Sequence, residues 1–258
     1  MSVIGVKLLK DVYRNFTSYD LFAVVVVSMV VGHVFYYFVP DQNWLRIVDR
    51  ILVPVFLVTV GYNTSHKFGW MVWAGAFIVA WTHYVGTGII FINVLGTFIF
   101  VRAFMRPFLD LLLKSSTKFW AWNIIFVLVS PVVNLVLEYG TLAISMAVAG
   151  WINRNREEVK EIVNPKHFFV FITLGYLYFT EAVFMFSQTE LAIVAIGSII
   201  VMTLLYDFRT LLLNAVHRRP KDKIEKFVSF VGRKSLEIYV IHVVVFNVMT
   251  YSIFKFIL

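Results

Sequence analysis

Four ionisable side chains lie where an apolar chain tolerates them least. His33 falls about 14 residues into an apolar run that starts near Tyr19, which is about 20 Å along a helix at 1.5 Å per residue. After a polar corner at Pro40 and Asp41, Arg46, Asp49 and Arg50 enter a second apolar run at i, i+3 and i+4. That spacing puts them on one helical face. Ionisable groups at membrane depth face the bundle interior or a wet cavity, and they mark function by default. An imidazole there is suited to take a proton near neutral pH, a carboxylate can orient it, and arginines can hold an anion or stabilise developing charge. His242 lies in the last apolar run, with Tyr239 three residues before it and Asn247 beyond. Glu138, Glu181, Glu190 and Asn134 fall at or near the ends of other runs. The expected catalytic residues are His33, Asp49 and His242, with Arg46, Arg50, Tyr239 and Glu181 around the substrate. The competing reading is a structural network of ion pairs and hydrogen bonds that knits helices together. His66, His83, His167 and His217 sit at the ends of runs and read as surface residues.

The elements that must position these groups follow from composition. The chain has 258 residues, 60% of them hydrophobic and 15% charged, with a mean hydropathy of +0.82. Soluble domains carry roughly 45–50% apolar and about 25% charged residues, so a polytopic membrane protein is expected. A spanning helix needs about 20 apolar residues. Runs of that kind occur near 19–39, 46–63, 68–84, 87–103, 119–137, 139–152, 167–186, 190–206 and 233–254. The sixth is short enough to be tilted or re-entrant. Segments 105–116 and 208–217 are too short to span and pair Leu clusters with basic residues, as interfacial helices do. The expected fold is therefore all-α, a single domain over 1–258, with about nine transmembrane helices and one or two interfacial ones. Ser18 is the expected N-cap of the first span.

Charge orients this arrangement. With the N-terminus inside, twenty of the 23 Lys and Arg residues fall in inside segments, and Arg46, Arg50 and Lys255 are the exceptions. The positive-inside rule then predicts the N-terminus in and the C-terminus out. The net charge of +8 is thus a topology signal, not a nucleic-acid footprint. Residues 1–16 are charged throughout and lack the apolar core of a cleavable signal peptide. With no cysteine in the chain, disulfides, thiolate catalysis and Cys-based metal sites are excluded. No HExxH, GxSxG, P-loop or dinucleotide motif is present, and no spaced metal-ligand set is expected.

The stretch from Ser18 to Lys67 resembles the opening of the TraX family of bacterial multi-span membrane proteins. The positions that carry the resemblance are Gly32-His33, the aromatic run Phe35 to Phe38, Arg46 to Arg50, Pro54-Val55-Phe56 and Gly61-Tyr62. Tyr239 and His242 are similar to the closing span of that family and of sugar-acetylating membrane acyltransferases. The likeness covers about a quarter of the chain. It implies a membrane-embedded acyltransferase fold, related also to heparan-α-glucosaminide N-acetyltransferase, in which acetyl-CoA approaches from the cytoplasm. It implies His33 as general base and His242 as a second site histidine. Two positions depart from the family pattern: Gly32 stands where the family has Asp, and Asp49 where it has Gly between the arginines. The two lie at similar depth on consecutive antiparallel spans. Asp49 is therefore expected to orient His33, with Gly32 leaving room for its carboxylate.

The expected function is transfer of an acyl group from acetyl-CoA to an amine or hydroxyl acceptor, a protein N-terminus or a glycan, at the envelope. Arg102, Arg106, Arg218, Arg219 and Lys221 are candidate anchors for the CoA phosphates, although the same charges also serve topology. The expected surroundings are the lipid bilayer, acyl-CoA and an envelope acceptor, in a multi-pass protein of a bacterial inner membrane. The alternatives are an inactive TraX-like assembly or scaffold protein and, less favoured, a small transporter, since no paired interrupted helices occur in matching halves.

Overall fold

The computed structural model describes residues 16–38, 43–63, 68–217 and 220–257, with the side chains at 36–38, 43–46, 216–217 and 251–257 outside the description. Among the described residues there are twelve helices. In chain order they are α1 (Ser18–Phe38), α2 (Asn43–Tyr62), α3 (Trp70–Thr87), α4 (Val94–Leu112), α5 (Ser116–Val133) and α6 (Leu142–Arg154). Then come α7 (Arg156–Val159), α8 (Pro165–Phe184), α9 (Gln188–Tyr206), α10 (Phe208–His217), α11 (Lys223–Arg233) and α12 (Ser235–Ile257). No strand is present among the described residues. The single extended feature is a one-residue parallel bridge between Ile92 and Leu137.

Helices α1, α5, α8 and α9 are each long and apolar enough to cross a membrane. Large apolar side chains stand outward on them and on α3, including Ile196 at 63% and Trp70 at 78% exposure. Water would oppose such a surface and lipid would not, and the chain is an all-α membrane protein. Helix α2 carries Arg46, Asp49 and Arg50, α4 carries Arg102, Arg106 and Asp110, and α6 has 13 residues.

Helices α2 and α6 form the centre. Helix α6 is buried on nearly every face, so the short sixth run is a core element. The two backbones touch. A Cβ on Gly61 would lie 1.7 Å from the Ala147 carbonyl oxygen, and one on Gly150 would lie 1.8 Å from that of Val58. Small residues allow this close approach where packing, not hydrophobic burial, holds helices together.

Prolines inside helices are met by side chains. Pro54 has no N–H for the carbonyl of Arg50, four residues earlier, and the Tyr176 hydroxyl on α8 donates to that carbonyl instead. Pro131 in α5 likewise frees the Val127 carbonyl, which accepts the Ser130 hydroxyl at 2.6 Å. The links 88–93 and 134–141 satisfy one another: Ile92 N–H donates to Val136 O at 2.8 Å, and Glu138 N–H to Ile92 O at 2.9 Å. Irregular backbone is tolerated in a membrane protein where it is buried or lines a cavity.

Two expectations are corrected. The cap of α1 is Thr17 and not Ser18, because Asp20 returns the hydrogen bond: Asp20 N–H donates to Thr17 Oγ1 at 3.2 Å and Thr17 N–H to Asp20 Oδ2 at 2.9 Å. Residues 105–112 continue α4 through Pro107 and do not form a separate interfacial helix. Residues 223–233 form a further amphipathic helix, α11. It lies on the start of α1, where a Cβ on Gly232 would come within 2.1 Å of Tyr19 O.

Candidate functional site

Helices α1, α2, α3, α4 and α12, with the 134–141 link and Phe184 of α8, enclose a cavity of about 320 Å³. Its polar lining comprises His33, Asp49, Arg50, His83, Asn93, Asn134, Glu138, Tyr139, Tyr239 and Asn247.

The histidines meet. His33 Nδ1 lies 2.9 Å from His242 Nε2, and His242 Nδ1 lies 3.0 Å from the Ile238 carbonyl oxygen. A carbonyl can only accept, so His242 carries its proton on Nδ1. With both rings neutral, His242 Nε2 must then accept, and His33 donates from its own Nδ1. This assignment leaves the basic lone pair of His33 on Nε2. The α12 backbone thus selects the tautomer of α12's histidine, which selects that of α1's. Tyr239, one helical turn before His242, packs against both rings at centroid distances of 6.2 and 5.2 Å.

Asp49 is on the cavity wall, and its carboxylate is pressed on Gly32. A Cβ at Gly32 would lie 2.1–2.3 Å from the carboxylate atoms. Gly32 therefore makes room for Asp49 as expected, and the Nδ1 of His33 is met by His242. The contact sets His33 on α1 and His242 on α12 at one depth.

Arg50 donates from Nη1 to the Tyr139 hydroxyl at 2.5 Å and packs its guanidinium 4.2 Å from the centre of the Phe184 ring. Tyr139 accepts there, so its own O–H is left to donate. Tyr139 has φ 65° and is followed by Gly140 at φ 50°. A bulky residue in this left-handed region is costly. Here Tyr139 N–H is held by Asn134 Oδ1 at 2.8 Å. Glu138 accepts from Val94 N–H at 2.6 Å, at the first turn of α4, while Asn93 caps the same helix through Leu95 N–H and Gly96 N–H. The carboxylate is well placed beside a helix N-terminus.

A second cavity, of about 470 Å³, lies at the opposite ends of α1, α2, α4 and α12. It is lined by Phe22, Phe56, Phe68 and Phe98 with Arg102 and Arg233. Arg102 donates to Asn63 O and lies 5.0 Å from the centre of the Phe68 ring. Phe56 on this side and Tyr239 on the other stack at 5.3 Å. These two rings separate the cavities.

The other expected residues divide as follows. Arg50, Asp49, Tyr239 and His242 join His33. Glu181 is exposed on α8 and does not line the cavity; Glu138, on the link beside Arg50, is the carboxylate found there with Asp49. Arg106 is exposed on α4 and lines neither cavity, whereas Arg102 does. Lys221 is exposed and lines neither cavity. Arg218 and Arg219, and the side chain of Arg46, lie outside the described residues. His83, read from sequence as surface, lines the histidine cavity and packs against Phe91 at 5.4 Å. Asn93 and Tyr139 also were not anticipated. The Asn-Val pair that opens the run after 92 was the available signal for Asn93. Among the described residues no three His, Asp or Glu side chains converge closely enough to hold a metal.

No family model matches the chain. No solved structure matches it. The chain is similar to a Rickettsia prowazekii (strain Madrid E) protein described as "Uncharacterized protein RP591", with 24% identity over 151 residues. That match covers 56% of this chain and 59% of the relative, so the chain matches about three fifths of that protein's length.

Proposed function

We propose that this chain is a membrane-embedded acyltransferase that moves an acyl group from acyl-CoA to an amine or hydroxyl acceptor at the cell envelope. The observation that carries the reading is the ordered chain Ile238 carbonyl, His242, His33 at the wall of a cavity that also holds Arg50 and Tyr139. His33 Nε2 takes the proton of the acceptor as its nitrogen or oxygen attacks the thioester carbonyl. The tetrahedral oxyanion is met by the Tyr139 hydroxyl, polarised by Arg50. Collapse breaks the carbon–sulfur bond, and the proton held by His33 leaves with the CoA thiolate. His242 orients His33 and shares the positive charge it acquires. Acetyl-CoA is the simplest donor. Arg102 and Arg233, at the mouth of the second cavity, suit its phosphates, and its thioester would pass between Phe56 and Tyr239.

The same reading takes nine spans with the N-terminus in, which sets Arg102 and Arg233 on the cytoplasmic side of a bacterial inner membrane and the histidines toward the outer side. TraX-like acceptors, a protein N-terminus or a glycan, fit that geometry. The test is CoA release by the purified full-length protein in detergent, supplied with acetyl-CoA and a panel of primary amines and sugars. Acceptor-dependent release supports the reading. No release above buffer with any acceptor would favour the TraX-like assembly or scaffold reading.

A further inference from the structure

Away from both cavities, helices α8 and α9 leave an apolar groove of about 400 Å³ lined by Phe169, Leu174, Leu177, Ile199 and Met202. It runs from Lys166 to Leu177 along α8, eleven residues or about 16 Å at 1.5 Å per residue. One leaflet of the hydrocarbon core is about 15 Å deep, half of about 30 Å. At the Lys166 end the groove meets a pocket of about 370 Å³, and Tyr206 lines both. Its ring stands edge-on to Phe169 at 5.3 Å on the groove side and lies 3.9 Å beneath the Arg156 guanidinium on the pocket side.

The pocket is charged in both signs. Arg154, Arg156 and Arg209 line it together with Glu157, Glu158 and Asp207. Among the described residues these arginines form no ion pair with these carboxylates, and Glu157 pairs instead with Lys160, outside the pocket, at 3.4 Å. Arg154 donates to Tyr62 O at 3.0 Å, and Arg156 to Asn153 Oδ1 and Tyr206 O. These contacts hold the Arg154 and Arg156 guanidiniums beside the carboxylates of Glu158 and Asp207. Unpaired opposite charges around one pocket suit a ligand that carries both charges itself.

We propose that this joined groove and pocket is a binding site for a phospholipid with a zwitterionic headgroup, with phosphate at the guanidiniums, ammonium at Glu158 and Asp207, and one acyl chain along α8 and α9. An anionic headgroup would leave the carboxylates facing a phosphate, which costs energy. A lipid in this place cements α6, α8 and α9 where α6 ends.

The experiment is native mass spectrometry of the full chain in detergent, with palmitoyl-oleoyl phosphatidylethanolamine or phosphatidylglycerol added at equal concentration. The expected result is a retained phosphatidylethanolamine adduct in excess over phosphatidylglycerol. Asp207→Asn with Arg209→Gln should erase the preference by about tenfold or more, the worth of a charge-assisted hydrogen bond. Leu174→Trp, at a position 61% exposed on the groove, should fill the groove and lower adducts of both lipids while thermal unfolding in lipid-free detergent stays unchanged. Preference for phosphatidylglycerol, or adducts indifferent to Leu174→Trp, would overturn the proposal.

Discussion

The two cavities along α1, α2, α4 and α12 differ in how their polar groups are held. The histidine cavity is walled where the backbone is irregular. The links 88–93 and 134–141 bring Asn93, Asn134, Glu138 and Tyr139 to it; the first three side chains are fixed by a backbone N–H or carbonyl, and Tyr139 by Arg50. The arginine cavity is walled by regular helix and four phenylalanines, with its charges at the rim. A regular helix consumes its own N–H groups, so beyond side chains it lends a cavity only shared carbonyls, such as that of Ile238 to His242. A broken helix offers backbone partners as well, and those pin polar side chains to one geometry. On the proposed function, the step that needs fixed donors is set at the first cavity, and binding of the long acyl donor at the second.

His33→Ala is the largest test of this contrast. It should lower CoA release by about 10²–10⁴-fold with the protein still inserted and monodisperse. His242→Ala should cost less, roughly 10–100-fold as for groups that orient a reacting imidazole, and should also move the pH profile. An unaltered rate in His33→Ala would move the chemistry away from the histidine cavity.

Gly32→Ala comes next. Its methyl would enter the Asp49 carboxylate, so it should destabilise by about 1–3 kcal/mol, read as thermal unfolding in detergent. Combining it with Asp49→Gly should restore most of that loss. No rescue would show that Gly32 is required for some contact other than Asp49.

A loss of similar size is expected from Tyr176→Phe, which strands the Arg50 carbonyl that Pro54 leaves open. About 1–3 kcal/mol is the usual cost of an unsatisfied buried group. Wild-type unfolding behaviour in this variant would mean that another group meets that carbonyl. Glu181→Gln and Arg106→Gln should do least, within about 0.5 kcal/mol in stability and with CoA release unchanged. A large loss of release in either would extend the site beyond the two cavities.

Much of the frame was legible from the chain. Each of the nine apolar runs overlaps a helix, although 88–93 stay outside α4, and α1, α5, α8 and α9 are long and apolar enough to cross a membrane. The stop at residue 104 was misread because Arg102, Arg106 and Pro107 look like an ending. Pro107 lies inside α4, at a position where the helix simply continues. Helix α11 is too short and too charged to stand out as an apolar run, although Ile224, Phe227, Val228 and Val231 recur at helical spacing. Of the carboxylates, sequence position suggested Glu181 and Glu138 alike, and the turn at Tyr139 and Gly140 decided for Glu138.

Composition and hydropathy by themselves determined that the chain is helical and membrane-embedded, and which residues are out of place in it: His33, Asp49, Arg50 and His242. Those are local properties, summed over one turn or one span. Only the tertiary structure decided that His33 meets His242 across 209 positions of sequence, that Asp49 lies on Gly32, and that Tyr139 reaches Arg50. Which face of a helix meets which neighbour depends on its rotation, and rotation is set by contacts such as Gly61 on Ala147 and Gly150 on Val58. Hydropathy carries no record of those contacts, because every face of a buried helix such as α6 is equally apolar.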